Sequence, residues 1–278
     1  MSTKIVNSAK RILAIHDISG FGRCSLTVAL PIISAMGFEC VCVPTAVLSA
    51  HTGIEGYTCR DLTDDIPGVL THYRDLGLEF DAIYSGFLGS ARQIELVKAF
   101  VEAFRKNGTL FVCDPVMADN GELYPVFDDA FVHEMRSLCT AADVIVPNLT
   151  EAALLLGVPY NNMPAVTDVL HGLQNLGAST AVLTGVEDDN NGLGAACIDG
   201  VGDINYAYAE KSPGAYCGGG DVFASVLTGA LTKGIALQKA MARAVDFTAA
   251  AVKNTYTNGG NPLHGLMFEG LLEHLMKG

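Results

Sequence analysis

Basic residues are scarce in this sequence. Lys and Arg number 17 against 30 Asp and Glu, a formal net charge of −13. Contacts to a phosphate backbone need clustered Lys and Arg, so the balance argues against a nucleic-acid partner. It reads instead as the surface of a soluble cytosolic protein. Charged residues of both signs make up only 17% of a chain that is 50% hydrophobic, the opposite of the composition that keeps a chain disordered. No segment approaches the ~18 consecutive apolar residues of a membrane span. The start, MSTKIVNSAKRILAIHDIS, is basic and then apolar, but its apolar core is only Ile12-Leu13-Ala14-Ile15. That is short of the ~7–15 residues of a secretory leader. A cytoplasmic protein with no membrane partner is expected.

Several catalytic signatures are missing as well. No Gly-Lys pair occurs anywhere, which excludes a P-loop. No HExxH helix, Ser/His/Asp ordering or Cys–His pairing supports hydrolysis. The eight cysteines do not form a disulfide or zinc framework. Cys40, Cys42 and Cys113 lie in apolar runs, where a free thiol behaves as a small hydrophobe. The Cys40-Val-Cys42 spacing is too short for a zinc knuckle and no second pair follows. A reducing compartment fits better.

What the sequence does have is a regular alternation. Apolar runs at Ile12–Ile15, Cys40–Thr45, Ala82–Ser85, Leu110–Cys113, Val144–Val146 and Thr180–Thr184 are separated by stretches of helical length, among them Leu26–Met36, Ile66–Leu76, Ala91–Lys106 and Ala165–Leu176. Buried strands divided by helices are the pattern of βαβ units and a mostly parallel sheet, covered on both faces. Gly194–Ile198 and Ile204–Tyr208 predict an antiparallel hairpin at the sheet edge. Helices are expected over Asp221–Leu231 and Leu237–Asn254. With no linker, repeat or low-complexity tract, residues 1–278 are expected to form a single domain, a three-layer α/β/α sandwich.

The sharpest local feature is Cys217-Gly218-Gly219-Gly220-Asp221, leading into a helical run. Glycines leave backbone amides unobstructed, and at a helix N-terminus those amides and the helix dipole favour an anion. The same residues also read as a flexible loop in which Asp221 merely caps the helix. Asp114-Pro115-Val116-Met117-Ala118-Asp119 follows the strand Leu110–Cys113, where ligands of parallel sheets gather. Two carboxylates there suit a hydrated magnesium ion or a phosphate-bound cation; the alternative is a turn with solvated acids. Asn148 and Glu151 occupy the equivalent place after Val144–Val146, where a plain helix N-cap with an acidic first turn is the simpler reading. Gly20-x-Gly22 follows the first strand, but Ser25 stands where a dinucleotide fingerprint needs its third glycine. His51, in the loop after the second strand, is a lone histidine of the kind usually found decorating a surface.

In order along the chain, HDISGFGRCS, PTAVLSAHTG, YSGFLGS, VCDPVMADNGELY with VPNLTEA, and CGGGD resemble the pyridoxal/pyridoxamine kinases of the ribokinase-like superfamily. The similarity runs from Ile12 to about Pro262. It implies a ribokinase-like fold and an ATP-dependent kinase acting on the 5′-hydroxymethyl group of a vitamin B6 vitamer. Asp221 would be the catalytic base, with Gly218, Gly219 and Gly220 as the anion hole. Asp114, Asp119, Asn148 and Glu151 would surround Mg²⁺ and the ATP phosphates, with Asp119 and Glu151 as metal ligands and Thr184 at a nucleotide-contacting position. Thr45 and His51 would approach the pyridine ring, Phe87 would pack against it, and Asp17 and Ser19 would line the substrate end of the first loop. ATP and Mg²⁺ are the implied cofactors, with a monovalent cation as a third candidate, and a homodimer is the implied assembly.

Three departures from the family's pattern stand out, the last of which bears on substrate. Gly219 replaces the usual Thr of a GTGD-type loop, Ala118 replaces a common Gly, and Asp17-Ile18-Ser19-Gly20 is closer to the hydroxymethylpyrimidine kinases of thiamine synthesis. That kinase is one alternative. A non-catalytic B6 vitamer-binding protein is another, against which the retained base and acidic site speak.

Overall fold

The alternating pattern becomes a layered fold in a computed structural model that describes residues 10–106 and 108–276. Residues 1–9, which carry the basic start of the segment weighed as a leader, lie outside them. In chain order the elements are β1 (Arg11–Ser19), α1 (Leu26–Ala35), β2 (Glu39–Leu48), β3 (Cys59–Asp61), α2 (Ile66–Asp75), β4 (Ala82–Ser85), α3 (Ala91–Phe104) and β5 (Leu110–Cys113). They continue with β6 (Ala118–Asp119), β7 (Glu122–Leu123), α4 (Asp129–Ala141), β8 (Val144–Ile145), α5 (Leu149–Leu156), α6 (Val166–Asn175) and β9 (Thr180–Glu187). The last are β10 (Gly192–Ile198), β11 (Ile204–Glu210), α7 (Gly219–Thr232), α8 (Leu237–Thr257) and the short α9 (Glu273–Met276).

One nine-stranded sheet runs in the order β11-β10-β9-β8-β5-β4-β1-β2-β3, with β6 and β7 as a separate two-stranded ribbon. From β2 across to β9 every pairing is parallel. The expected hairpin is present as β10 and β11, antiparallel at the sheet edge. Period-two alternation divides each central strand between two cores. Leu13, Ile15, Ile83, Phe111 and Leu183 point into the layer made by α2 to α6. Ile12, Tyr84, Val112 and Val182 point into the layer made by α1, α7 and α8. Buried on both faces, the sheet explains the unbroken apolar runs. The three-layer α/β/α sandwich expected from the sequence is the observed architecture.

Parallel strands put their carboxyl ends on one rim, and the strand order turns at β1, whose neighbours are β2 and β4. Ligand sites form at such a switch point. The register of β1 against β2 also shifts between His16 and Ile18, an irregularity of the kind that re-aims side chains beside functional sites.

Candidate active site

A cavity of about 700 Å³ opens over that rim. Its wall includes Asp17, Ser19, His51, Phe87, Asp114, Asp119, Asn148, Glu151, Thr184, Gly218, Gly219, Gly220 and Asp221, so residues spread over some 200 positions of sequence meet in one place. Thr45 does not reach the wall. It is buried in β2, its hydroxyl 3.5 Å from the Phe87 carbonyl and its own carbonyl accepting from Gln93 Nε2 at 3.1 Å. Thr45 therefore supports the Phe87 loop from behind.

The glycine loop enters α7 without a side-chain cap. Gly218 is the N-cap, at φ +76°, and a Cβ there would lie 1.9 Å from the Arg23 carbonyl oxygen. Only glycine meets both demands. Around Gly219 and Gly220 a Cβ would meet nothing within 4 Å, so those two keep the first turn bare and solvent-facing. The amides at the positive end of this fourteen-residue helix have no side-chain cap, an arrangement that favours negative charge. Asp221, in the first turn of α7, does not serve as its cap. Its side chain is 15% exposed. Burial pushes its carboxyl up to about 7, the nearby Asp17 carboxylate adds to the rise, and the Ser25 backbone N–H opposes it. A carboxylate poised there suits a general base at neutral pH.

Across the cavity, α5 begins in a complete capping box. Asn148 Oδ1 accepts from Glu151 N at 2.9 Å, and Glu151 Oε2 accepts from Asn148 N at 2.9 Å. Glu151 Oε1 accepts from Met117 N at 3.1 Å, and Asn148 Nδ2 donates to the Ala118 carbonyl at 2.8 Å. The two residues thus cap α5 and also hold the turn that carries Asp119. Asp114 and Glu151 are both buried. Burial raises both carboxyls; the Glu151 charge raises Asp114 further, while backbone N–H donors restrain the rise at Glu151. Asp119 is exposed, its Oδ1 accepting from Asn120 N at 2.9 Å. Thr184 lies beside Asn148, its N–H donating to the Pro147 carbonyl at 3.0 Å.

At the other end the wall is less charged. Asp17 is buried and accepts from Ser19 Oγ at 2.9 Å; burial raises its carboxyl and the Ser25 and Ser19 hydroxyls restrain it. His51 is no surface histidine. It accepts from Gly53 N at Nδ1 (3.2 Å) and its Nε2 lies 2.6 Å from the Leu263 carbonyl, which makes Nε2 the donor. A Cβ on Gly22 would come within 2.3 Å of the His51 ring, so the Gly20-x-Gly22 pair, which resembled a dinucleotide fingerprint, serves in part to admit this imidazole. Phe87 packs against Phe127 with centroids 5.6 Å apart and the rings tilted by 40°.

Tyr57, Tyr124 and Tyr216 also line the cavity and went unassigned in the sequence. Tyr124 closes the VCDPVMADNGELY motif itself, which was the available signal. No group of three or more His, Cys, Asp or Glu among the described residues is arranged to hold a metal ion. Nor is any helix among them long and apolar enough to cross a membrane.

Against known proteins, a family model described as phosphomethylpyrimidine kinase matches residues 30–265. The crystal structure of a putative phosphomethylpyrimidine kinase from Bacteroides thetaiotaomicron is 40% identical, with a TM-score of 0.94, covering 98% of this chain and 95% of that one. Another crystal form of the same protein, with pyridoxal, has a TM-score of 0.92 at 40% identity and covers 96% of each chain. Pyridoxal kinase from Lactobacillus plantarum is 35% identical, with a TM-score of 0.90 and 97% coverage of each chain. Fold and cavity together define a phosphotransferase of the ribokinase-like class. The chain belongs to the pyridoxal and phosphomethylpyrimidine kinase family of that superfamily.

Proposed function

We propose that the protein is an ATP-dependent kinase that phosphorylates the 5′-hydroxymethyl group of a B6 vitamer. One observation carries the reading: the Asp221 carboxylate stands in the first turn of an uncapped helix whose bare amides face the same cavity as Phe87, His51 and Asp17. Asp221 takes the proton of the acceptor hydroxyl as that oxygen attacks the γ-phosphorus of ATP. The bond from phosphorus to the bridging oxygen breaks, and ADP leaves with the electron pair. The amides at Gly218 to Gly220 take up charge on the transferring phosphoryl group. Positioning and electrostatics supply most of the rate in such transfers.

The acidic end fits Mg²⁺. Asp114 and Glu151 are buried carboxyls raised by burial and, at Asp114, by the neighbouring charge, and a divalent cation relieves that repulsion. With fewer than three protein carboxylates so arranged, the ion would complete its shell with phosphate oxygens and water. Asp119 and Glu151 are the residues we assign to it, with Asp114 and Asn148 beside the phosphates and Thr184 toward the nucleotide. When bound, the ion neutralises phosphate charge. A cytoplasmic, single-domain protein that works as a homodimer belongs to the same reading.

The family model's description, together with the Asp17–Ser19 pair, favours one second reading, a hydroxymethylpyrimidine kinase. ATP consumption measured side by side with pyridoxal, pyridoxamine, pyridoxine and the pyrimidine alcohol decides between them. Turnover confined to the pyrimidine alcohol would replace the B6 assignment, and turnover of none would remove the kinase reading.

A further inference from the structure

Beneath Asp221 lies a histidine that the reading above leaves unused. His16, on β1, is completely buried, and neither of its ring nitrogens has a hydrogen-bond partner. Buried polar groups are nearly always paired, so an imidazole with both nitrogens free calls for an explanation. The ring is not filler in a loosely packed spot. Tyr84 meets it edge-on with centroids 4.5 Å apart, and a Cβ on Gly86 would fall 1.8 Å from its Cε1. Directly after β4 the chain gives up a side chain at Gly86, which makes room for this imidazole.

The acid beside it is Asp221, whose Oδ1 is 3.9 Å from His16 Nδ1. Charge attraction does not join them, because burial pulls His16 down to about 3 and keeps it neutral. The separation is too long for a hydrogen bond. Catalytic hydrogen bonds are, however, often long in the free enzyme and tighten once substrate is bound.

We propose that His16 is a positioning residue for Asp221: in its Nδ1–H tautomer it closes onto Oδ1 when the acceptor alcohol enters, leaving the other carboxylate oxygen to take the hydroxyl proton. No proton leaves His16. The inference rests on the kinase reading of the site and goes beyond it by naming what orients the base. Other groups also face Asp221: Asp17 and Cys24 from β1 and the loop after it, Tyr84 from β4, Asp114 beyond β5, Tyr124, and Cys217 before α7. The two carboxylates oppose its ionisation, and the Ser25 backbone N–H favours it. His16 would be a second donor to the ionised form.

The test uses H16L, which keeps bulk but removes both nitrogens, and H16N, whose amide can donate from nearly the Nδ1 position. For H16L we expect kcat to fall about ten- to hundredfold, the scale seen when an orienting partner is lost, with the vitamer KM little changed. The acid limb of kcat should move to higher pH, because the carboxylate has lost a donor to its charged form. H16N should recover most of the rate and return the limb. G86A, which displaces the ring without deleting it, should behave like H16L and carries the test if H16L does not fold. Wild-type kcat and an unmoved limb in H16L would overturn the proposal. So would a loss of rate with the limb in place and no recovery in H16N, which marks a packing role. Wild-type turnover of a B6 vitamer in the same assay separates failure of this inference from failure of the kinase reading.

Discussion

Two helices start at the rim of the same cavity and finish their N-termini in opposite ways. α5 closes its own end, with Asn148 and Glu151 exchanging side-chain and backbone bonds. α7 leaves its end open behind Gly218, with no side-chain cap. A capped end has already spent its amides on protein acceptors, whereas an open end at a cavity keeps them for a ligand. The contrast separates two acidic motifs that look alike in sequence, Asn-x-x-Glu and Gly-Gly-Gly-Asp. In the first the acid stabilises its own helix and braces the Asp119 turn. In the second the acid is held beside the helix end at a raised pKa, available for chemistry.

Substitutions at the two ends should therefore fail differently. The largest effect is expected for Asp221→Asn at the open end, where turnover should fall by about 10²–10⁴ while ATP binding, followed by titration, stays near the wild-type level. Next comes Gly218→Ala. Its Cβ would lie 1.9 Å from the Arg23 carbonyl at φ +76°, so we expect a loss of about 1–3 kcal/mol in chemical denaturation, together with reduced turnover. Asn148→Ala, at the closed end, should cost about 1 kcal/mol of stability through its lost cap. Gly219→Ala is expected to change stability by less than about 0.5 kcal/mol, because its Cβ meets nothing within 4 Å. Equal losses at Gly218 and Gly219 would break the distinction between a shaped N-cap and a bare turn.

Stability against pH sharpens the comparison further. Asp221 has its folded pKa raised to about 7 from an ordinary 3.8, so the folded state favours its protonated form. The stability this provides is complete below about pH 4 and is lost as pH rises through about 7. Asp221→Asn, which carries no charge, should melt above wild type at pH 8 by a margin that shrinks toward pH 4. A margin independent of pH would contradict a buried, strained carboxyl.

Much of this layout is legible in the sequence. β4 and β5 have the bounds read from the sequence, because each is a short buried run that ends at a residue that breaks the pattern, Gly86 after β4 and Asp114-Pro115 after β5. β9 is longer than expected, since Val186 and Glu187, beyond Thr184, continue the pairing with β10 and Val186 is buried in the core. α4 went unnamed even though Phe131, Val132, Met135, Leu138 and Cys139 are spaced for one helical face behind an Asp128 cap. At the site, motifs located the carboxyl ends of the strands, but they could not say which way a side chain turns within a strand. Thr45 and His16 fall near the register shift between β1 and β2; Thr45 turns behind the cavity, and His16 turns beneath Asp221. Those orientations arise from packing against Phe87, Tyr84 and Gly86, contacts that are distant in sequence.

The central claim is that Asp221, ionised beside an open helix end, takes the proton of the acceptor alcohol. The most direct measurement is kcat for a B6 vitamer between pH 5 and pH 9, in wild type and in Asp221→Asn. The account predicts a wild-type rate that rises with pH and levels off near 7, where the Asp221 carboxyl is expected to titrate, and a residual rate in the variant that lacks this limb. A limb of the same midpoint in both proteins would contradict it.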